Sequence, residues 1–406
     1  MLPLKVYRSF GRVLEPYLAR RLPPPRRGFL NRADVWLHAA SVGEAGVAAA
    51  IIKALHRERK DLSFLLTLQT KTGLKKACEL LEGEALISLA PLDLPGFVER
   101  AFSLVRPRVF ALIETELWPN LIVTAKRKGA KLLLLNGRLS DWALRRYLWL
   151  KGFWGKLLGN FEALGVIGER EASRFLRLGA PKEKLHLLGN AKYDLLWARA
   201  KEIDPQEVRR LIGGARLVTF GSLRGGEEKA ATRAASILLK RHPGLKIALV
   251  PRHLSLVEPL RREAARLGLS ASLFNQLDPE KDVIIVDKIG PLLKFYAASE
   301  AAFVGGSLVP KGGQNPLEPA LFKKPVLFGP HMENFPYEAR ALKKALGEEV
   351  VAKEGEDLAA KISFLLSNPR EAQRRGRLAL QVVKEFLGAS ARYAELLNQT
   401  LSPAPP

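Results

Sequence analysis

Carboxylates set at turns are the first chemistry this chain offers. Glu44 ends the run Ser41-Val42-Gly43-Glu44, which joins an apolar stretch at 35–38 to a helical one at 45–57. The Ser41 to Glu44 spacing is that of a capping box, where the acid bonds back to a free N–H at a helix start. The same place suits a general base at the mouth of a strand, and a helix N-terminus would lower its pKa and keep it ionised. A second acidic turn, Glu114-Thr115-Glu116-Leu117-Trp118-Pro119-Asn120, follows the apolar run 109–114. Two carboxylates two residues apart, beside Trp118 and Pro119, mark a site. No DxD motif and no Cys/His cluster with zinc spacing occurs, so the expectation is a site without a metal or other cofactor.

Basic and glycine-rich turns make up the other half of the chemistry. In 301–320, AAFVGGSLVPKGGQNPLEPA, a short apolar strand breaks into Gly305-Gly306-Ser307 and passes Gly312-Gly313-Gln314 into Asn315-Pro316-Leu317-Glu318. Asn315 is a good N-cap, Pro316 suits the first helical position, and Glu318 falls three residues after the cap. Strand, glycine loop and capped helix bring N–H groups together where an anion could bind. An ordinary capped turn fits the same residues, and no Gly-Lys-Ser/Thr follows to make a P-loop. Arg252 and His253 follow the apolar run 246–250 and could meet a phosphate or a carboxylate. Lys192 lies in Gly189-Asn190-Ala191-Lys192-Tyr193-Asp194, near a junction between two halves.

These turns need elements to hold them. Short apolar runs at 35–38, 62–67, 86–90, 109–114, 131–136, 163–168 and 185–189 predict strands, with helices between them, including one over 142–158. A charged helical segment follows. Alternation then restarts, with strands at 217–221, 246–250, 283–286, 302–304, 325–328 and 350–352, and helix over most of 358–397. Alternation of this kind means parallel sheets covered on both faces. The expected organisation is a basic amphipathic segment (1–32), a Rossmann-like domain (33–190), a connection (191–214), a second Rossmann-like domain (215–388), and a C-terminal helix and tail (389–406). Ligands of such sheets bind beyond the strands' carboxyl ends, so two domains facing each other would leave a cleft.

At 406 residues and 47% hydrophobic, the chain is long enough for two full cores. The net charge of +24 favours phosphate-rich partners: nucleic acid, an anionic membrane or phosphorylated substrates. A general excess of Lys and Arg explains it equally well, and no nucleic-acid motif stands out. One cysteine, Cys78, excludes an internal disulfide, and its helical run suggests inert core. No apolar run approaches the ~20 residues of a spanning helix. The N-terminal segment interleaves Val6, Phe10, Val13 and Tyr17 with Arg8, Arg12, Arg20 and Arg21, which suits either a helix on an anionic membrane or one packed on its own domain. The run 142–158 carries Trp142, Tyr147, Trp149, Phe153 and Trp154 beside Arg145, Arg146, Lys151 and Lys156, the make-up of a membrane interface.

With these residues in view, the chain resembles the 3-deoxy-D-manno-octulosonic acid (Kdo) transferases of lipopolysaccharide assembly. HAASVGE, IETELWPN, NGRLS, GNAKYD, VPRH, FVGGSLVPKGGQNPLEPA and FGPHMENF carry the resemblance in order, from about Trp36 nearly to the C-terminus. It implies an α/β GT-B glycosyltransferase with CMP-Kdo as donor and a phosphorylated lipid A precursor as acceptor. It also implies work at the cytoplasmic face of the inner membrane, with no nucleic-acid partner. By the same resemblance Glu44 is the catalytic base, and Glu116 and Lys192 support the transition state. Pro251, Arg252, Ile289, Gly290, Pro291, Asn315, Pro316, Leu317 and Glu318 fall on CMP-binding positions. The chain departs from the family at Leu223-Arg224-Gly225-Gly226-Glu227-Glu228, where many members carry a His-Glu-Gly-Glu-Glu-like run. Two rivals remain on sequence grounds: another GT-B enzyme using a UDP-sugar, transferase or epimerase, and a non-catalytic basic binder of membranes or nucleic acid.

Overall fold

A computed structural model describes residues 2–402. The chain forms two compact units. The first runs to Leu195 and resumes at Phe386; the second is Leu196–Glu385.

The first unit holds a seven-stranded sheet in the order β3-β2-β1-β4-β5-β6-β7. Its strands are β1 Val35–Ala39, β2 Phe64–Leu68, β3 Leu86–Leu89, β4 Val109–Ile113, β5 Lys131–Gly137, β6 Ala163–Val166 and β7 Leu185–Leu187. All pairings are parallel. The central strands β1, β2 and β4 are buried at every position, as strands with helices on both faces must be. One face of β1 and β4 packs Trp36, Phe102 and Phe110, with ring centroids 4.7–5.1 Å apart. Each such pair adds about 0.5–1.5 kcal/mol beyond area burial. The opposite face takes Val47, Ile51 and Leu55 of the helix Val42–Glu58, together with Ala389, Tyr393 and Leu397 from the chain's last helix, Ala389–Leu401.

The second unit holds a six-stranded sheet in the order β10-β11-β9-β8-β12-β13. Here the strands are β8 Arg216–Leu223, β9 Leu245–Pro251, β10 Ala271–Leu273, β11 Val283–Ile285, β12 Ala301–Val304 and β13 Val326–Phe328, again all parallel.

Several expectations change. The segment 191–214 is not a free connection. Its first residues belong to the first unit, and its helix Pro205–Leu211 buries Val208 in the second unit's core beside Ala248 and Phe295. Residues from Phe386 return to the first unit, where Asp194 accepts the N–H groups of Gly388 and Ser390, each at 2.7 Å, and Tyr393 donates to the Gly189 carbonyl. Residues 350–352 make only an isolated bridge, Phe328 to Val351. The run 142–158 is two helices, Asp141–Leu148 and Lys151–Leu158. Cys78 is exposed rather than core. The tail beyond Ser402 lies outside the described residues.

The N-terminal helix, Leu2–Ala19, has two apolar faces. One docks: Leu4 is buried, Glu15 accepts the Gly96 N–H at 2.9 Å, and Tyr7 donates to Asp93 at 3.0 Å. The other shows Val6, Phe10, Val13 and Tyr17 to solvent at i, i+4, i+7 and i+11, Phe10 being 64% and Val13 76% exposed. Among the described residues no helix is long and apolar enough to cross a membrane.

Candidate active site

Strand order decides which turns can share a ligand. In the first sheet the order reverses between β1 and β4. That reversal opens a crevice at the carboxyl ends, the standard ligand position in open α/β sheets. Glu44 follows β1, and the Glu114–Glu116 turn follows β4, so both acidic turns flank it.

Glu44 is half-buried. Its Oε2 accepts the Ala40 N–H and its Oε1 accepts the Ser41 hydroxyl, both at 2.8 Å; Ser41 Oγ in turn accepts the Glu44 N–H at 3.4 Å. Ser41 therefore caps the helix as expected, but the return bond of the capping box is displaced: Glu44 takes the N–H of Ala40, one residue before the cap, and the Ser41 hydroxyl. The expected lowering of the Glu44 pKa is not seen: burial raises it, and the nearby Glu114 raises it further, against the opposing pull of the Ala40 and Ser41 bonds and of Lys192. A carboxylate whose pKa is raised is a stronger base once ionised, which suits a general base.

Glu114 takes a left-handed conformation, φ 59°, and its Oε1 lies 2.5 Å from Lys192 Nζ. Asn136, also left-handed at φ 55°, is the last residue but one of β5 and ties Glu114 to the residue before Lys192. Its Oδ1 accepts the Ala191 N–H at 2.9 Å, and its Nδ2 lies 3.5 Å from Glu114 Oε1. Lys192 begins the helix Lys192–Lys201, and its N–H is capped by Asn190 Oδ1 at 3.1 Å. Glu116 is held from the other side, its Oε2 accepting the Trp118 indole N–H at 2.8 Å. Burial raises its pKa, with Glu44 and Glu114 adding to the rise. Glu44, Glu116 and Lys192 are thus one electrostatic group, with Glu114 as the lysine's counter-ion.

Beneath Glu116 lies a residue that the sequence reading missed. His38 of β1 is fully buried, its Nδ1 3.0 Å from Thr67 Oγ1 and its Nε2 3.8 Å from Glu116 Oε2. Burial and the nearby Arg26 push its pKa down to about 3, so it stays neutral. Thr67 also accepts the Trp36 indole N–H at 2.9 Å, which fixes the stack under the site. The one sequence signal was His38 at the end of a strand whose other positions are apolar.

The second unit gathers the donor positions in the same way. Pro251 ends β9 and Arg252 follows it, Ile289, Gly290 and Pro291 follow β11, and Asn315, Pro316, Leu317 and Glu318 follow β12. All are carboxyl ends of one parallel sheet. Arg252 and Ile289 are exposed, and Gly290 has φ 114°. Glu318 is raised by burial to about 7, against the pull of Arg252 and Arg199. Tyr296 packs beneath: a Cβ on Gly221 would fall 2.0 Å from its hydroxyl, and that buried hydroxyl has no hydrogen-bond partner.

The anion loop differs from its expectation. Asn315 does cap, its Oδ1 accepting the Leu317 N–H at 3.1 Å, but the helix is a single turn, Leu317–Ala320, and Glu318 makes no return bond to the cap. Gly305, Gly306 and Ser307 are buried, and their anion is the protein's own. The fully buried Glu227 accepts N–H groups of Gly306 at 2.6 Å, Ser307 at 3.0 Å, Leu308 at 2.9 Å and Arg224 at 2.9 Å. Gly306 supplies the φ of 69° that turns its N–H inward.

Two parallel α/β units in one chain, with a ligand crevice at the first sheet's switch point, are the architecture of the GT-B class. The fold is shared with the UDP-GlcNAc 2-epimerase of Neisseria meningitidis solved with UDP-GlcNAc, at a TM-score of 0.63, covering 90% of this chain and 99% of that chain at 14% identity. Residues 14–195 match the family described as 3-deoxy-D-manno-octulosonic-acid transferase (kdotransferase). The 3-deoxy-D-manno-octulosonic acid transferase of Haemophilus influenzae is 32% identical over 401 residues, 96% of this chain and 93% of that protein. The one from Rickettsia felis is 30% identical over 388 residues, 93% of this chain and 81% of that protein. The chain belongs to the Kdo transferase family.

Proposed function

We propose that the chain moves Kdo from CMP-Kdo to the 6′-hydroxyl of a tetra-acylated, bisphosphorylated lipid A precursor (lipid IVA), with inversion at the anomeric carbon. The observation that carries this reading is the group Glu44, Glu114, Glu116 and Lys192 at the β1/β4 switch point. Glu44 takes the proton of the attacking hydroxyl. The freed oxygen bonds to C2 of Kdo as the bond from C2 to the phosphate oxygen breaks, and CMP departs with that electron pair. Lys192 and Glu116 support the charge that shifts in the transition state. On the donor side Arg252 meets the phosphate. Glu318, near neutral, hydrogen-bonds a ribose hydroxyl without repelling it. No step in this scheme calls for a metal. Mass spectrometry of the product from CMP-Kdo and lipid IVA tests it: the acceptor gains Kdo, and turnover with UDP-sugars instead would overturn the donor assignment.

Arg252→Ala is expected to weaken CMP binding by about 1.5–3 kcal/mol, the scale of a charged hydrogen bond. Arg252→Lys should recover only part, since a point charge does not reproduce a planar fork. Titration calorimetry with CMP reads both, and parental affinity in Arg252→Ala would move the donor elsewhere.

A lipid acceptor of this kind calls for an enzyme at the cytoplasmic face of the inner membrane, peripheral or monotopic. What supports this is the exposed stripe Val6, Phe10, Val13 and Tyr17, with Trp142 and the 89%-exposed Trp149 beside Arg145 and Lys151. Co-sedimentation with anionic vesicles is expected, weakening with salt. It should be reduced by deletion of residues 1–21 and reduced further by Arg145→Glu with Lys151→Glu. Protein left in the supernatant at low salt would refute the membrane placement.

A further inference from the structure

A cleft bordering Glu116 is not lined as a sugar site is. A cavity of about 560 Å³ lies beside the Glu114–Asn120 turn, walled by Trp118, Tyr147, Leu150, Phe153 and Trp154. Tyr147 and Trp154 stack at 4.5 Å, and Phe153 meets Trp154 edge-on at 5.1 Å. Pro3 and Tyr7 of the N-terminal helix supply another wall. Glu116 and Arg146 are the charged residues in the lining. Arg146 rests on the Trp142 ring, 4.5 Å from its centroid, and has no carboxylate partner among the described residues. A second, smaller cavity of about 240 Å³ also touches Phe153, with Leu4, Val123 and Leu157 as apolar lining and Lys126, Arg127 and Lys156 as basic lining.

We propose that this cavity takes one acyl chain of the acceptor lipid, with Arg146 on a phosphate of the same molecule. The proposal rests on the acceptor named above and deepens it. Three features select this occupant. Apart from Thr115, Glu116 and Arg146 the walls are aromatic and aliphatic, so a bare sugar or the acidic Kdo would leave most of its hydroxyls there without a hydrogen-bond partner. A cation without a counter-ion at an apolar pocket fits an amphiphile that joins phosphate to hydrocarbon. Finally, the walls lie close to two surfaces that expose apolar side chains: Leu150 follows the exposed Trp149, and Tyr7, on the docked face of the N-terminal helix, is the sequence neighbour of the exposed Val6. One chain drawn out of the bilayer into this cavity would hold the headgroup with its hydroxyl at the Glu44 and Glu116 carboxylates. The enzyme would thereby measure acyl length while doing chemistry on a sugar.

The test uses the full-length enzyme and lipid IVA analogues with acyl chains shortened two carbons at a time, presented at fixed mole fraction in mixed detergent micelles. A pocket that buries methylenes should give about fourfold in KM for each one removed, until the chain no longer reaches it. Leu150→Arg, at a half-exposed position outside both helices, places a charge in the pocket. It is expected to cut the preference for the longest chain at least tenfold and so flatten the length series. Length dependence due to micelle partition alone would survive in that variant, and this would overturn the proposal. In parallel, a diazirine at the end of the acyl chain should label the peptide that carries Phe153 and Trp154; labelling spread over other segments would also overturn it. The two failures are separable. Equal transfer to every chain length removes the pocket but keeps the acceptor, whereas no transfer to any acylated acceptor removes the acceptor reading as well.

Discussion

Glu44→Gln is expected to lower transfer by about 10²–10⁴-fold, the usual contribution of a positioned general base, with CMP binding and folding close to the parent. The substitution separates the two roles this side chain holds. As a cap, Glu44 needs an acceptor for the Ala40 N–H and for the Ser41 hydroxyl. Glutamine offers one carbonyl oxygen and serves at this helix position almost as well. As a base, Glu44 needs an ionisable oxygen, which glutamine lacks. Glu44→Ala loses both roles and should add a stability loss of about 0.5–2 kcal/mol. Single-turnover transfer and urea unfolding measured on both variants decide the matter, and near-parental turnover in Glu44→Gln would remove the base assignment.

The same geometry sets a pH profile. The base works ionised, so transfer should fall as pH drops through the pKa of Glu44, and burial places that fall above the ordinary glutamate range. The Ser41 hydroxyl bond stabilises the ionised form and opposes the rise. Ser41→Ala should therefore move the acid limb of the profile to higher pH while leaving the plateau near that of the parent. An acid limb unmoved by Ser41→Ala would mean that another group sets it.

Legibility in the sequence followed burial. The strands of the first unit could be read because short, nearly unbroken apolar runs had turns on either side. What failed was short, shared or long-range. β10, Ala271–Leu273, is a three-residue edge strand, half-buried throughout, with no run of apolar residues to announce it. The break at Trp149 and Leu150 contains neither Gly nor Pro, and helical periodicity continues through it. That Ala389–Leu401 closes the first unit depends on Asp194 and Tyr393 meeting partners nearly two hundred residues away. No local signal encodes such a return. At the site the residue types were readable, and the family motifs assigned Glu44, Glu116 and Lys192. Their gathering at one crevice depends on strand order, which no single turn specifies. His38 looked like one of six scattered histidines until β1 and β4 were paired. The pKa of Glu44 was expected to fall because the helix end was visible in sequence and the burial was not.

The anion loop fails for a more instructive reason, and it yields the largest expected stability effect. Backbone N–H groups converging on one point need an anion, but sequence cannot say whose. Here Glu227, just past β8, fills the loop that follows β12, across the switch point of the second sheet. It joins the two strands where the order reverses and so fixes the start of the loop that leads on to Asn315 and Glu318. Glu227→Ala would leave the N–H groups of Arg224, Gly306, Ser307 and Leu308 without their acceptor. At about 1–3 kcal/mol for a buried donor left unmade, and with water reaching some of them, a loss of about 3–5 kcal/mol is expected, the scale for breaking a buried charged pair. Glu227→Gln should be nearly as damaging, because the amide's NH₂ would face N–H donors on one side. CMP affinity should fall in both variants, since the donor loop loses its anchor. Acetate or phosphate in millimolar excess should restore part of the stability of Glu227→Ala by filling the vacated nest, as any ligand of the folded state does. Urea unfolding with and without acetate reads each of these, with Glu44→Gln as the control. A Glu227→Gln variant within 1 kcal/mol of the parent, on the ~1 kcal/mol scale of one ordinary hydrogen bond, would mean that the loop does not depend on the buried carboxylate.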